Sequence, residues 1–256
     1  MNLNDYKTHD YEGLVAETIK MKSSNGDEIN AYLAKPLVEG NFPIVVLIHH
    51  LPGWDELYKE FTRKFAHHGY IAICPDLYHR EGNGSPDDVA AEVRSMGGVS
   101  DKQVIEDILG ASNYAKNLPS NNGKIGLFGT CSGGRHAFLI GCSTDNFDAI
   151  VECWGGNVVM NIESLTDKQP TSPSALTSSL SSPLLGLFGN DDVSPTPEDV
   201  NEHEKLLKDN NKDYTFHRYD GAGHGFMYYQ TPLYRQQQSM DAWEKIFDFY
   251  EDKLRS

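Results

Sequence analysis

The sequence predicts an α/β fold: one domain over residues 1–256, with a mostly parallel central sheet, helices on both faces and an antiparallel N-terminal edge. Three observations predict it. Short apolar runs alternate with stretches of helical periodicity, as in a parallel sheet covered by helices. The run Pro43-Ile44-Val45-Val46-Leu47-Ile48 is continuously apolar, which suits a strand buried on both faces. Asn25-Gly26, a hairpin turn signal, joins the first two strand patterns, so these pair antiparallel.

The elements follow in order. Strands are expected at Val15–Met21, Ile29–Ala34, Pro43–Ile48, Tyr70–Cys74, Ile125–Phe128, Phe147–Cys153, Leu184–Phe188 and Tyr214–Tyr219. Leu57, Phe61 and Phe65 repeat at a helical spacing before His67-His68-Gly69 ends the segment. Ser100-Asp101-Lys102-Gln103 has the form of a capping box. Behind it Val104, Ile105, Ile108, Leu109, Ala115 and Leu118 form an apolar face that Pro119 stops. Thr196-Pro197-Glu198-Asp199 puts a capping hydroxyl, a first-turn proline and acids at a helix N-terminus. Met240, Trp243, Ile246, Phe247 and Tyr250 give the last helix one core-facing side. There is no internal repeat. Residues 167–183, rich in Ser, Thr and Pro, read as a surface loop within the domain, with a mobile lid as the alternative.

Composition narrows the function. With 22 Lys and Arg against 37 Asp and Glu, the formal charge is −15. Such a surface repels nucleic acid and anionic lipid, so neither is an expected partner. Met1 to Asp10 is polar, and no run approaches about 18 apolar residues, so a cytoplasmic protein is expected. The four cysteines, Cys74, Cys131, Cys142 and Cys153, form no C-x-x-C pair. The adjacent pairs His49-His50 and His67-His68 lack metal spacing, so no metal or organic cofactor is expected.

The chemistry concentrates at Gly129-Thr130-Cys131-Ser132-Gly133-Gly134, between the strand Ile125–Phe128 and the helical pattern that begins at Arg135. A strand, G-x-C-x-G and a helix make a sharp turn that presents the sulfur above the C-terminal edge of the sheet. The helix N-terminus favours negative charge there, which promotes the thiolate. Two later strands end in matching loops. Gly189-Asn190-Asp191-Asp192 carries two acids, and Gly221-Ala222-Gly223-His224-Gly225-Phe226 carries a histidine. Nucleophile, acid and base thus occur in the order of an α/β-hydrolase sheet, with Cys131 attacking, His224 moving its proton and Asp192 orienting the ring. Asp191 is the alternative acid.

With these residues in place, the chain resembles the dienelactone hydrolase family of α/β-hydrolases over nearly its whole length. The matching pieces are Val45 to His50, Gly69 to Tyr78, Gly129 to Gly134, Gly189 to Pro195 and Ala222 to Phe226. The resemblance implies a Cys-His-Asp triad of Cys131, His224 and Asp192, its spacing favouring Asp192 over Asp191. It also implies an oxyanion hole from the backbone N–H groups of Leu51 and Ser132, and substrate-carboxylate binding by Arg80.

Two positions depart from the family. His50 stands where the best-known members carry a glutamate beside the thiol. It either touches Cys131 or the substrate oxygen, or it fastens the Leu51-Pro52-Gly53 loop, whereas His49 faces the other side of the strand. Tyr228 replaces a second carboxylate-binding arginine, and a phenol is no substitute for a guanidinium clamp. Together with Trp54 and Trp154 it suggests a more aromatic pocket and a less anionic ligand than dienelactone. The expected activity is hydrolysis of a small-molecule ester or lactone through an acyl-thioester. The alternatives are phosphoester hydrolysis or acyl transfer on the same triad, or a non-catalytic ligand-binding relative.

Overall fold

The computed structural model describes residues 13–82 and 84–255. The expectation placed on Met1 to Asp10 lies outside them. One eight-stranded sheet runs through the described residues in the order β1-β2-β4-β3-β5-β6-β7-β8. Its strands are β1 Leu14–Lys22, β2 Glu28–Pro36, β3 Phe42–Ile48, β4 Ile71–Pro75, β5 Asn121–Thr130, β6 Ala149–Cys153, β7 Leu184–Gly189 and β8 Tyr214–Tyr219. β1 and β2 pair antiparallel, β2 meets β4 antiparallel, and the pairs from β4 through β8 are parallel. This is the expected α/β-hydrolase architecture with its antiparallel edge. Gly26 turns the β1–β2 hairpin at φ 97°, where a side chain would be strained.

The helices are α1 Glu56–His67, α2 Pro86–Ser95, α3 Asp101–Lys116, α4 Ser132–Ser143, α5 Pro197–Asp209 and α6 Gln236–Leu254. The period-2 alternation of β3 sorts the core into two layers. Ile44, Val46 and Ile48 face a cluster with Val104 and Ile108 of α3 and Phe138 of α4. Val45 and Leu47 face the other, with Phe61 and Phe65 of α1 and Trp243 and Tyr250 of α6.

Local expectations fare unequally. Thr196 and Asp199 form a complete capping box on α5. At α3 the box is half formed: Ser100 Oγ accepts the Gln103 N–H at 3.2 Å, but the Gln103 side chain turns to Leu77 O at 3.1 Å. That carbonyl, in the loop after β4, is a tertiary partner that the local pattern cannot announce. α3 stops at Lys116, before Pro119. Met240 departs from the core side of α6 and is 59% exposed. Residues 167–183 are fastened rather than free-standing. Lys168 Nζ donates to Met96 O and Gly98 O at 2.8 and 2.5 Å, and Thr177 and Leu180 are buried. No helix among the described residues is long and apolar enough to cross a membrane.

Candidate active site

β5 carries Cys131 to the C-terminal edge near the middle of the sheet, and α4 starts at the next residue. Cys131 sits at φ 56°, ψ −125°, a conformation that non-glycine residues seldom adopt. Its N–H donates to Cys153 O at 3.0 Å and its carbonyl accepts the Arg135 N–H at 3.1 Å, so both neighbouring elements hold the strained residue. The flanking glycines are required by contact. A Cβ on Gly129 would strike the Gly133 carbonyl, and one on Gly133 would strike the Ile48 carbonyl.

The loops after β7 and β8 bring acid and base alongside. Asp192 is buried; its Oδ1 accepts the Ser194 N–H at 2.8 Å and its Oδ2 stands 3.0 Å from His224 Nδ1. Asp191 is exposed to solvent, so the carboxylate that meets the imidazole is that of Asp192. With Nδ1 engaged, Nε2 is the ring nitrogen left for the sulfur. Burial raises the Cys131 pKa, but the His224 hydrogen bond and charge, with the Ser132 and Leu51 backbone N–H groups, outweigh it and bring the thiol below its ordinary value. Burial likewise opposes the His224 imidazolium. The bonds to Asp192 and Cys131 prevail and raise its pKa to about 10. Both shifts favour the charged pair, thiolate and imidazolium. The other thiols move the opposite way: burial pushes Cys142 up to about 12 and raises Cys74 and Cys153 as well.

His49 and His50, the two residues after β3, turn to different partners. His49 Nδ1 donates to His50 O at 2.9 Å and its Nε2 accepts the Leu77 N–H at 3.2 Å. Burial lowers its pKa to about 4, so it is a neutral bridge between two loops. His50 Nε2 is 2.7 Å from Asp55 Oδ2, and Asp55 also caps α1 through the Tyr58 N–H. The ring therefore fastens the Leu51-Pro52-Gly53 loop to α1. Its buried Nδ1 meets no partner among the described residues.

Arg80 does not present a free guanidinium, contrary to the carboxylate-binding role that the resemblance implies. Nη1 and Nη2 grip both oxygens of buried Asp107 at 2.9 and 3.0 Å, and Nε donates to Asp27 at 2.8 Å. Those acids lie 53 and 27 residues from Arg80 along the chain, a tertiary commitment. Trp54 donates to Cys74 O at 3.0 Å and carries the Lys59 ammonium 4.4 Å above its ring. Trp154 is fully buried, with ring centroids 5.5 Å from Tyr228 and 6.5 Å from His224. Tyr228 is buried, 5.0 Å from the His50 ring, and its hydroxyl lies 2.5 Å from Thr130 Oγ1.

Two site residues escaped the sequence reading. Tyr58 is hydrogen bonded to Thr130 at both Oγ1 (2.8 Å) and N (3.1 Å). Tyr78 donates to Leu51 O at 3.1 Å, and its phenol feels the Cys131 charge. Tyr78 ends a matched stretch, so a signal existed. Tyr58 is indistinguishable in sequence from a core residue of α1. A cavity of about 1070 Å³ between α1 and α6, lined in part by Phe61, Lys64, Trp243 and Phe247, includes no member of this constellation. Among the described residues, no group of three or more His, Cys, Asp or Glu side chains could hold a metal ion.

A profile of the dienelactone hydrolase family matches residues 29–254. A Yersinia pestis protein named "Putative carboxymethylenebutenolidase" is 30% identical over 230 residues, spanning 89% of this chain and 85% of its own length. An Escherichia coli K12 protein of the same name is 29% identical over 232 residues, 89% of this chain and 83% of that one. The crystal structure of a "Putative Dienelactone Hydrolase" from Klebsiella pneumoniae superposes with a TM-score of 0.85 at 25% identity, covering 93% of this chain and 98% of that one.

Proposed function

The chain belongs to the dienelactone hydrolase family and is an ester or lactone hydrolase, and from that premise we propose that Cys131, His224 and Asp192 perform the hydrolysis through a covalent acyl-thioester. The observation that carries the reading is the Asp192 carboxylate 3.0 Å from His224 Nδ1 beside the strained Cys131 turn, with the His224 imidazole and the Leu51 and Ser132 N–H groups favouring the thiolate. The thiolate attacks the scissile carbonyl carbon. The Leu51 and Ser132 N–H groups receive the developing oxyanion, and in comparable sites losing one such donor costs about 10²–10³ in turnover. The His224 imidazolium gives its Nε2 proton to the departing alkoxide, and the acyl-thioester remains. Neutral His224 then takes a proton from water, whose oxygen adds to the thioester carbonyl. Collapse expels the thiolate and releases the acid, which restores the thiolate–imidazolium pair. Asp192 holds the ring and its charge throughout.

The site takes a small-molecule ester or lactone. Because Arg80 is occupied by Asp27 and Asp107, dienelactone itself is not the natural substrate in this reading. The test uses p-nitrophenyl acetate and iodoacetamide. Cys131→Ala should lose turnover by on the order of 10³-fold or more. In the wild type Cys131 should alkylate at neutral pH well before Cys142. Full activity in Cys131→Ala would overturn the proposal.

A further inference from the structure

Three hydroxyl groups behind the nucleophile form a chain of two oxygen–oxygen contacts, so one of their three protons is left over in any arrangement. The Thr130 N–H donates to the Tyr58 hydroxyl at 3.1 Å, so that oxygen is an acceptor. Tyr58 is buried, and Thr130 Oγ1, at 2.8 Å, is the acceptor available to its own proton. Thr130 Oγ1 then accepts from Tyr58 and still has one proton to place. The other partner it has is the Tyr228 oxygen, at 2.5 Å. In the arrangement that leaves the spare proton on Tyr228, the least buried of the three and the one that can meet a ligand, protons run from Tyr58 to Thr130 and from Thr130 to Tyr228. A second donor leans the same way. The buried Trp154 indole N–H lies towards the Tyr228 oxygen without completing a hydrogen bond. In that arrangement Tyr228 receives, and its own proton is the one left for a ligand. A buried donor without an acceptor is costly, and one beside a nucleophile marks a place for a ligand atom. The Tyr228 phenol is close enough to Cys131 to feel its charge, and Thr130 is the residue before Cys131 in the strained turn.

We propose that Tyr228 is a catalytic residue whose hydroxyl, polarised through Tyr58 and Thr130, donates its proton in a hydrogen bond to an oxygen of the ester group held at Cys131. This rests on Cys131 being the nucleophile. It assigns to Tyr228 a role different from that of the charged clamp whose place it takes. A phenol donor suits an uncharged ester oxygen that gains negative charge as the reaction proceeds. A guanidinium suits a carboxylate already charged.

The test compares ester turnover with thiol reactivity in the intact enzyme. The ester is p-nitrophenyl acetate. The thiol probe is 2,2′-dithiodipyridine, which reacts with Cys131 and carries no oxygen for Tyr228 to meet. Tyr228→Phe keeps the ring and removes the donor. Its kcat/KM for the ester should fall about 10- to 100-fold, with the disulfide-exchange rate within about twofold of wild type. Tyr58→Phe removes a group that never reaches the substrate. It frees Thr130 Oγ1 to accept from Tyr228, which turns the Tyr228 proton away from the site. It should therefore reproduce part of the ester defect, again with exchange retained. A structural or packing role for Tyr228 would not be copied by Tyr58→Phe. Unchanged ester turnover in Tyr228→Phe overturns the proposal. So does an equal loss of turnover and exchange, since Tyr228 would then act on the nucleophile. An unaffected Tyr58→Phe beside a defective Tyr228→Phe overturns the polarised chain. Cys131→Ala is the separate control: retained activity there removes the premise, whereas loss there with an intact Tyr228→Phe removes only this inference.

Discussion

At Cys131 and His224 each charge favours the other, and this coupling sets the expected pH dependence. The thiol lies below its ordinary value and the imidazolium persists to about 10, far above the ordinary histidine value of about 6.5. As pH falls, the thiolate is lost only once the pH passes below the lowered Cys131 value. As pH rises, the imidazolium is lost near pH 10, and with it the proton for the leaving group. The two limbs can be separated by substrate. An alkyl ester such as ethyl butyrate releases a basic alkoxide that needs the proton, so its kcat/KM should fall about tenfold per pH unit above about 10. p-Nitrophenyl acetate releases a stable phenolate and should hold its rate there after correction for hydroxide. A matched pair of pH–rate profiles checks this, and an alkaline limb near 6.5 for the alkyl ester would sink it. At this scale the sequence reveals identity better than commitment. The placement of Cys131, Asp192 and His224 at one edge of the sheet was legible because each follows its own strand and glycines mark its turn. Asp192 could be separated from Asp191 only by resemblance, because which carboxylate turns inward is decided by the Ser194 and His224 contacts. Arg80 misled because its partners arrive from β2's approach and from α3.

The helix behind the nucleophile is held by a buried ion pair. Arg135, one turn into α4 and 2% exposed, places Nη1 and Nη2 at 2.6 and 3.1 Å from the two oxygens of Asp101, the first residue of α3. Burial raises the Asp101 pKa, but the His136 and Arg135 bonds outweigh it and lower it. The stability it contributes is therefore present above the ordinary carboxylate range and lost as pH falls through the lowered value. Removing one partner strands the other. Asp101→Ala should cost about 3–5 kcal/mol in urea unfolding, whereas the double replacement Asp101→Leu, Arg135→Met should recover most of that loss. A double variant no more stable than Asp101→Ala would show that the pair is not what joins α3 to α4. Elements were legible where an apolar pattern or a cap or turn signal marks them. The strands β3 to β8 lie within two residues of their expected bounds at either end, apart from the N-terminal extension of β5. α2 was missed because only Ala90 and Val93 of its ten residues are buried, too few to set a period. Its start was nonetheless written in Ser85-Pro86-Asp87-Asp88, a capping hydroxyl, a first-turn proline and two acids.

For the whole molecule, the net charge of −15 decides which substrates approach easily. The Debye length shrinks from about 30 Å at 0.01 M salt to about 8 Å at 0.15 M. At low salt, then, an anionic ester meets the field of the entire surface, and at physiological salt only that of nearby groups. The Arg80 guanidinium, which the resemblance offers as the group to offset the repulsion, is already bidentate on Asp107 and also held by Asp27. Field and the engaged Arg80 therefore favour, in the proposed reading, uncharged esters and lactones. The comparison that tests this is between p-nitrophenyl butyrate and the mono-p-nitrophenyl ester of succinic acid, similar in reach and different by one charge. Raising salt from about 0.01 to 0.15 M should increase kcat/KM for the anionic ester severalfold and leave the neutral one nearly unchanged. An anionic rate that instead falls with salt would mean that a cationic group near Cys131 governs entry despite the surface. The selectivity argued from the engaged Arg80 would then be wrong at its root.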